Sequence, residues 1–105
     1  MYIIFLKFGA NRAQANDWMS GHAPWIQQGI DDGTFLMAGS LDEARGGVVL
    51  ASNMDSEALL ARIQKDPFVV HGVVTPEVHA VTPSRMAEGM TELLGRTRAA
   101  SVPTT

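Results

Sequence analysis

The stretch DSEALLARIQKDPFVVHGVVTPEVHAV, Asp55 to Val81, decides the fold. Leu59, Leu60 and Ile63 give an amphipathic helix its apolar side. That helix runs out at Gln64, because a proline pushes the residue before it out of the helical region into an extended one. Phe68 to Val74 then reads as a strand, Pro76 as either an edge position or a bulge, and Val78 to Val81 as renewed pairing. The turn Lys65-Asp66-Pro67-Phe68 fixes a carboxylate beside an aromatic ring, and its expected partner is His22.

Toward the N-terminus, Tyr2, Ile4, Leu6 and Phe8 line one side of a first strand while Ile3 and Phe5 line the other, so both faces want cover. An interior strand is expected there. Ala15, Trp18, Met19, His22, Trp25, Ile26, Gly29 and Ile30 follow at the spacing of a buried helical stripe, with His22 in its middle. Pro24 predicts a kink or a fresh start near Ser20-Gly21, and Gly21 allows another segment or a ligand to come close. Asp31-Asp32-Gly33 ends that helix. Thr34 to Leu41 and Val48 to Ala51 then form a hairpin, after which either Asn53 or Asp55 caps the second helix.

The order is strand, helix, strand, strand, helix, strand. This is the ferredoxin-like βαββαβ arrangement, an α+β fold with an antiparallel sheet and both helices on one face. It occupies residues 1–82. Met86, Met90, Leu93 and Leu94 at helical spacing behind Thr82 and Pro83 predict an accessory helix over 83–95, and the small, polar, pattern-free residues 96–105 read as a disordered tail.

A chain of 105 residues has room for one domain. Its 46% hydrophobic and 18% charged residues are an apolar balance for that size, so a homodimer covering the free sheet face is expected. The absence of cysteine excludes a disulfide framework and fits a reducing compartment, and the apolar start is too short for a signal peptide or a membrane helix, so the cytoplasm is the expected location. A formal charge of −3 with no basic stripe argues against nucleic acid or anionic membrane as partners.

The chemistry centres on His22 and Asp66. An imidazole that donates one N–H to a carboxylate has its tautomer fixed, which leaves the other nitrogen as a base near neutral pH. Such a pair removes a proton beside a carbonyl or from a ring hydroxyl and returns it elsewhere, giving isomerisation or elimination without a metal. The rival reading is structural: a core histidine and a turn aspartate in a non-catalytic dimer that binds a small ligand or serves a pathway as an accessory. Ser40 is a candidate to hydrogen-bond a substrate oxygen and Phe68 to wall the pocket, while Arg45 either holds a carboxylate or is a solvated hairpin charge. His71 and His79 lack the spacing of a metal-ligand pair with His22, and Gly46-Gly47 lacks the lysine and helix start of a phosphate loop. No metal and no cofactor are expected.

Several of these residues fall into a known pattern. Tyr2-Ile3-Ile4, His22, Gly33 to Ser40, Arg45 to Ala51, and Asp66-Pro67-Phe68 followed by Gly72 together resemble the YciI-like (YCII-related) family, over about residues 1 to 82. The resemblance implies a dimeric ferredoxin-like α+β barrel and a His-Asp pair at the positions of His22 and Asp66. Some members of that family act on chlorinated aromatic compounds as dehydrochlorinases or dehalogenating lactone isomerases. The chain departs from the common pattern at Ser40, where many members have proline, and in its extension after Pro83.

Overall fold

The structure, a computed structural model, describes residues 1–94. Alternation in the first strand, β1 (Tyr2–Phe8), sends Ile4 and Leu6 into the core and leaves Ile3, Phe5 and Lys7 on the other face. A 3-10 turn at Arg12–Gln14 leads into helix α1 (Ala15–Asp31). Strands β2 (Phe35–Leu41) and β3 (Gly46–Ala51) pair as the expected hairpin. Helix α2 (Ser56–Ile63) is capped by Asp55, whose carboxylate accepts the Ala58 N–H at 2.8 Å. The short helix α3 (Pro67–Val70), strand β4 (Val74–Ala80) and the short helix α4 (Met90–Leu94) complete the order.

The sheet runs β2-β3-β1-β4, antiparallel throughout, with Ile4 opposite Val49 on one side and Val78 on the other. The chain therefore has the ferredoxin-like α+β fold, with β1 interior as its two apolar faces require. Helices cover one sheet face, where Ile4, Leu6, Phe35, Val49, Leu59, Ile63 and Phe68 form the core. Fully burying each such side chain contributes about 1.5–3 kcal/mol. The opposite face presents Ile3, Phe5, Val48 and Leu50, with Met37 at 40% exposure beside them. At its β4 edge Lys7 and His79 both bond Glu77, at 2.8 and 2.6 Å. Pro76 lies in this edge strand with the register unbroken around it, so it marks an edge and not a bulge. Among the described residues no helix is long and apolar enough to cross a membrane.

Three local expectations differ from what is found. Helix α1 continues through Pro24 instead of restarting near Ser20-Gly21; both Ser20 and Pro24 lie on its exposed side, where water can replace the lost backbone bond.

Phe68 to Val70 is helix and not strand. The Asp66 carboxylate accepts the Phe68 N–H at 3.0 Å, Pro67 takes the first helical position, and Gly72 at φ +71° closes the turn with Val73 N–H bonded to Phe68 O at 2.9 Å. Capping at both ends of one turn thus overrides the strand preference of Phe-Val-Val, and pairing begins at Val74.

Among the described residues of the extension, helix begins only at Met90, behind Gly89 at φ +93°. Leu94 is buried, and its carbonyl accepts the buried Ser52 hydroxyl at 3.0 Å. The end of the expected helix, Gly95, and the expected tail lie outside the described residues.

Candidate active site

Two neighbouring helices assemble the site. Along α1, Trp18, His22 and Trp25 recur at helical spacing toward the core. The Trp25 indole N–H donates to Arg62 O at 3.1 Å, tying α1 to α2, and the Trp18 ring stacks on His71 at 3.5 Å, tying α1 to the end of α3. Between these two ties His22 faces the N-terminus of α3. Its Nδ1 lies 2.8 Å from Asp66 Oδ1, and its ring stacks on Phe68 at 3.9 Å with an interplanar angle of 2°.

Asp66 is fully buried. Its Oδ1 accepts from both His22 and the Phe68 N–H, while Oδ2 is buried with no hydrogen-bond partner among the described residues. A carboxylate has no proton to give, so the shared proton resides on His22 Nδ1 and the lone pair of the neutral ring resides on Nε2.

His22 borders a cavity of about 180 Å3, together with Phe68, Ser40, Phe8, Met19 and Gly47. Its wall is apolar apart from the imidazole, the Ser40 hydroxyl and peptide groups at glycines. The Ser40 side chain makes no hydrogen bond among the described residues, so its donor and acceptor are both free. A larger hollow of about 460 Å3 opens over Pro24, Gln27, Asp31 and Asp32, but Gln27 is bonded to Asp31 at 2.8 Å and Asp32 to Arg62. Of its polar side chains, Gln27, Asp31 and Asp32 are thus engaged, and Gln28 makes no side-chain hydrogen bond among the described residues.

Of the residues singled out from sequence, His22, Asp66, Phe68 and Ser40 come together around one cavity. Arg45 does not join them. Its guanidinium folds onto its own turn, donating to Asp42 O at 2.9 Å, and does not border the cavity. Glu43 and Ala44, at φ 65° and 54°, shape this turn. Each of the other histidines has its own neighbour, His71 the Trp18 ring and His79 the Glu77 carboxylate. Sequence reading missed Met19, Phe8 and Gly47 as cavity residues. Phe8 also carries the Arg12 guanidinium 4.3 Å from its ring centroid, which brings a cation against that wall.

No family model matches the chain, and no curated protein matches it in sequence. Among solved structures it is similar to 5-chloro-2-hydroxyhydroquinone dehydrochlorinase (TftG) from Burkholderia phenoliruptrix AC1100, in complex with 2,5-dihydroxybenzoquinone. The likeness has a TM-score of 0.63 at 11% identity and covers 77% of this chain and 93% of that one. At this identity it shows a shared fold. The α+β architecture built above from strand register and helix placement is the same one.

Proposed function

We propose that the chain is a YciI-like acid-base enzyme, an isomerase or a dehydrochlorinase-like lyase, acting on a small cyclic or aromatic carbonyl or hydroxyl compound. The observation that carries this reading is the 2.8 Å contact of His22 Nδ1 with a fully buried Asp66 carboxylate, at the wall of a cavity about 180 Å3 in volume. In the proposed reaction Nε2 takes a proton from carbon beside a carbonyl or from a ring hydroxyl. The imidazolium so formed is held by Asp66, and the released electron pair moves into the ring system. Returning the proton to a different atom gives isomerisation; expelling chloride instead gives net loss of HCl. Ser40 bonds a ring oxygen, and Phe68 keeps the imidazole plane fixed. The dehydrochlorinase named above shares the fold, which supports the reaction class at a coarse level.

The same reading makes the protein a homodimer joined through the uncovered sheet face of Ile3, Phe5, Val48 and Leu50, since apolar area removed from water is worth about 25 cal/mol per Å2. We place it in the cytoplasm, on its cysteine-free composition.

A non-catalytic ligand-binding or accessory role is the second reading, and one observation favours it: Asp66 has a structural duty as the cap of α3. The test is to incubate the protein in deuterium oxide with a panel of hydroxylated, carbonyl-bearing and chlorinated ring compounds, followed by NMR. The enzymatic reading expects at least one compound to exchange a carbon-bound proton, isomerise or release chloride. Binding without any of these across the panel selects the second reading.

A further inference from the structure

Beside the contact between His22 and Asp66 lies a second one, made by their chain neighbours. One residue before His22, Gly21 faces Pro67, the residue after Asp66. A Cβ built on Gly21 would stand 2.8 Å from Pro67 Cγ, closer than carbon atoms pack, and 3.4 Å from Pro67 Cβ. The proline ring is not the loose end of a long side chain. It is the first residue of α3, between Asp66, which bonds His22, and Phe68, which stacks on it.

We propose that Gly21 is a positioning residue: its missing side chain lets Pro67 seat against α1, which brings the Asp66 carboxylate within hydrogen-bond reach of His22. The proposal rests on His22 being the base. Helix α1 has little freedom to move aside. On one side of Gly21 it is bound through Trp25 to Arg62 O at 3.1 Å, and further along Gly29 lies against the Phe35 ring; on the other side Trp18 is stacked on His71. A methyl group at position 21 therefore displaces Pro67, and with it both neighbours that hold the imidazole. The carboxylate contact lengthens, the preference for Nδ1–H weakens, and part of the neutral ring carries its proton on Nε2, where it cannot act as a base.

Glycine at an exposed position inside a helix is unfavourable, so replacing it with alanine ordinarily raises stability. A close neighbour reverses that expectation, which makes the sign of the thermal shift informative. The test uses the full chain, uniformly 15N-labelled, as wild type, Gly21→Ala, Pro67→Ala and the double variant. Long-range proton–nitrogen NMR identifies which ring nitrogen of His22 carries hydrogen.

Gly21→Ala is expected to lose the dominant Nδ1–H signature, to show a melting temperature equal to or below wild type, and to lower kcat at least tenfold with KM within threefold. Pro67→Ala removes the Cγ that the new methyl would strike. The double variant is therefore expected to recover the signature and most of the lost kcat. An unchanged His22 signature in Gly21→Ala, or no recovery in the double variant, overturns the proposal. If Gly21→Ala does not fold, recovery of fold and signature in the double variant supports it, and failure of both overturns it. If the signatures respond as expected and no compound is turned over by wild type, the positioning relation stands and the enzymatic reading falls.

Discussion

His22 Nδ1 and Asp66 Oδ1 stand 2.8 Å apart across 44 residues of sequence, one on a long helix and the other at the cap of a single helical turn. Because the same Asp66 oxygen also accepts the Phe68 N–H, the aspartate has two separable jobs: it caps α3 and it orients an imidazole.

Substitution at Asp66 separates these jobs. Asparagine keeps a cap acceptor but loses the charge and places an amide where Oδ2 has no partner, so Asp66→Asn is expected to cost about 1–2 kcal/mol of stability and to lower turnover about 100- to 10,000-fold. Asp66→Ala removes the cap as well and leaves the His22 N–H unpaired, for a loss of about 2–4 kcal/mol. Urea unfolding followed by circular dichroism, beside initial rates, checks both.

At Ser40 the expected effect falls on substrate and not on fold. Its hydroxyl has no partner among the described residues, so Ser40→Ala leaves the melting temperature unchanged. Losing one hydrogen bond to a ring oxygen, about 1–1.5 kcal/mol, lowers kcat/KM about tenfold. Arg45→Ala, outside the cavity, is expected to stay within twofold of wild type in the same assay.

Gly29 tests the packing that holds α1 on the sheet. A Cβ there would lie 2.0 Å from Phe35 Cδ2, in a side chain that is 2% exposed. The overpacking penalty, about 1–3 kcal/mol or more, exceeds the helix gain of about 1 kcal/mol, so Gly29→Ala is expected to destabilise on balance. Thermal unfolding reads the sign directly.

Acid stability depends on Asp32, whose side-chain hydrogen bond with Arg62 holds its carboxyl well below the ordinary value of 3.8. A folded-state value below the unfolded one means the unfolded chain binds the proton first, so this contribution is complete above about 3.8 and fades as pH falls through the folded value. The difference in urea midpoint between wild type and Asp32→Asn is expected to be constant from neutral pH down to about 5, and to shrink below about 4. A difference that grew on acidification would contradict the assignment.

The fold was legible because strong patterns agree with it. Two-sided apolarity made β1 interior, and the stripe from Ala15 to Ile30 placed His22 on the covered side of α1. The joining of His22 to Asp66 came from residue chemistry and a family resemblance, and the geometry now puts the two in contact. What escaped was decided by short-range competition. Phe-Val-Val has the composition of a strand, yet Asp66, Pro67 and Gly72 together specify one capped turn. Arg45 looked available because nothing in its own identity reports the left-handed Glu43 and Ala44 that precede it. The cavity had little signal, since part of its wall is the missing side chain of Gly47 and part is Met19, whose 45% exposure departs from the buried stripe.

The central claim is that His22 is a base and not merely a packed core ring. The most direct measurement compares His22→Asn with wild type on a compound that wild type turns over. Asparagine can still donate toward Asp66 from near the position of Nδ1, but it has no nitrogen able to take a proton. The account predicts that kcat/KM falls about 100- to 10,000-fold while the urea midpoint stays close to wild type. Turnover within twofold of wild type, or a loss of rate that only follows a loss of stability, would contradict it.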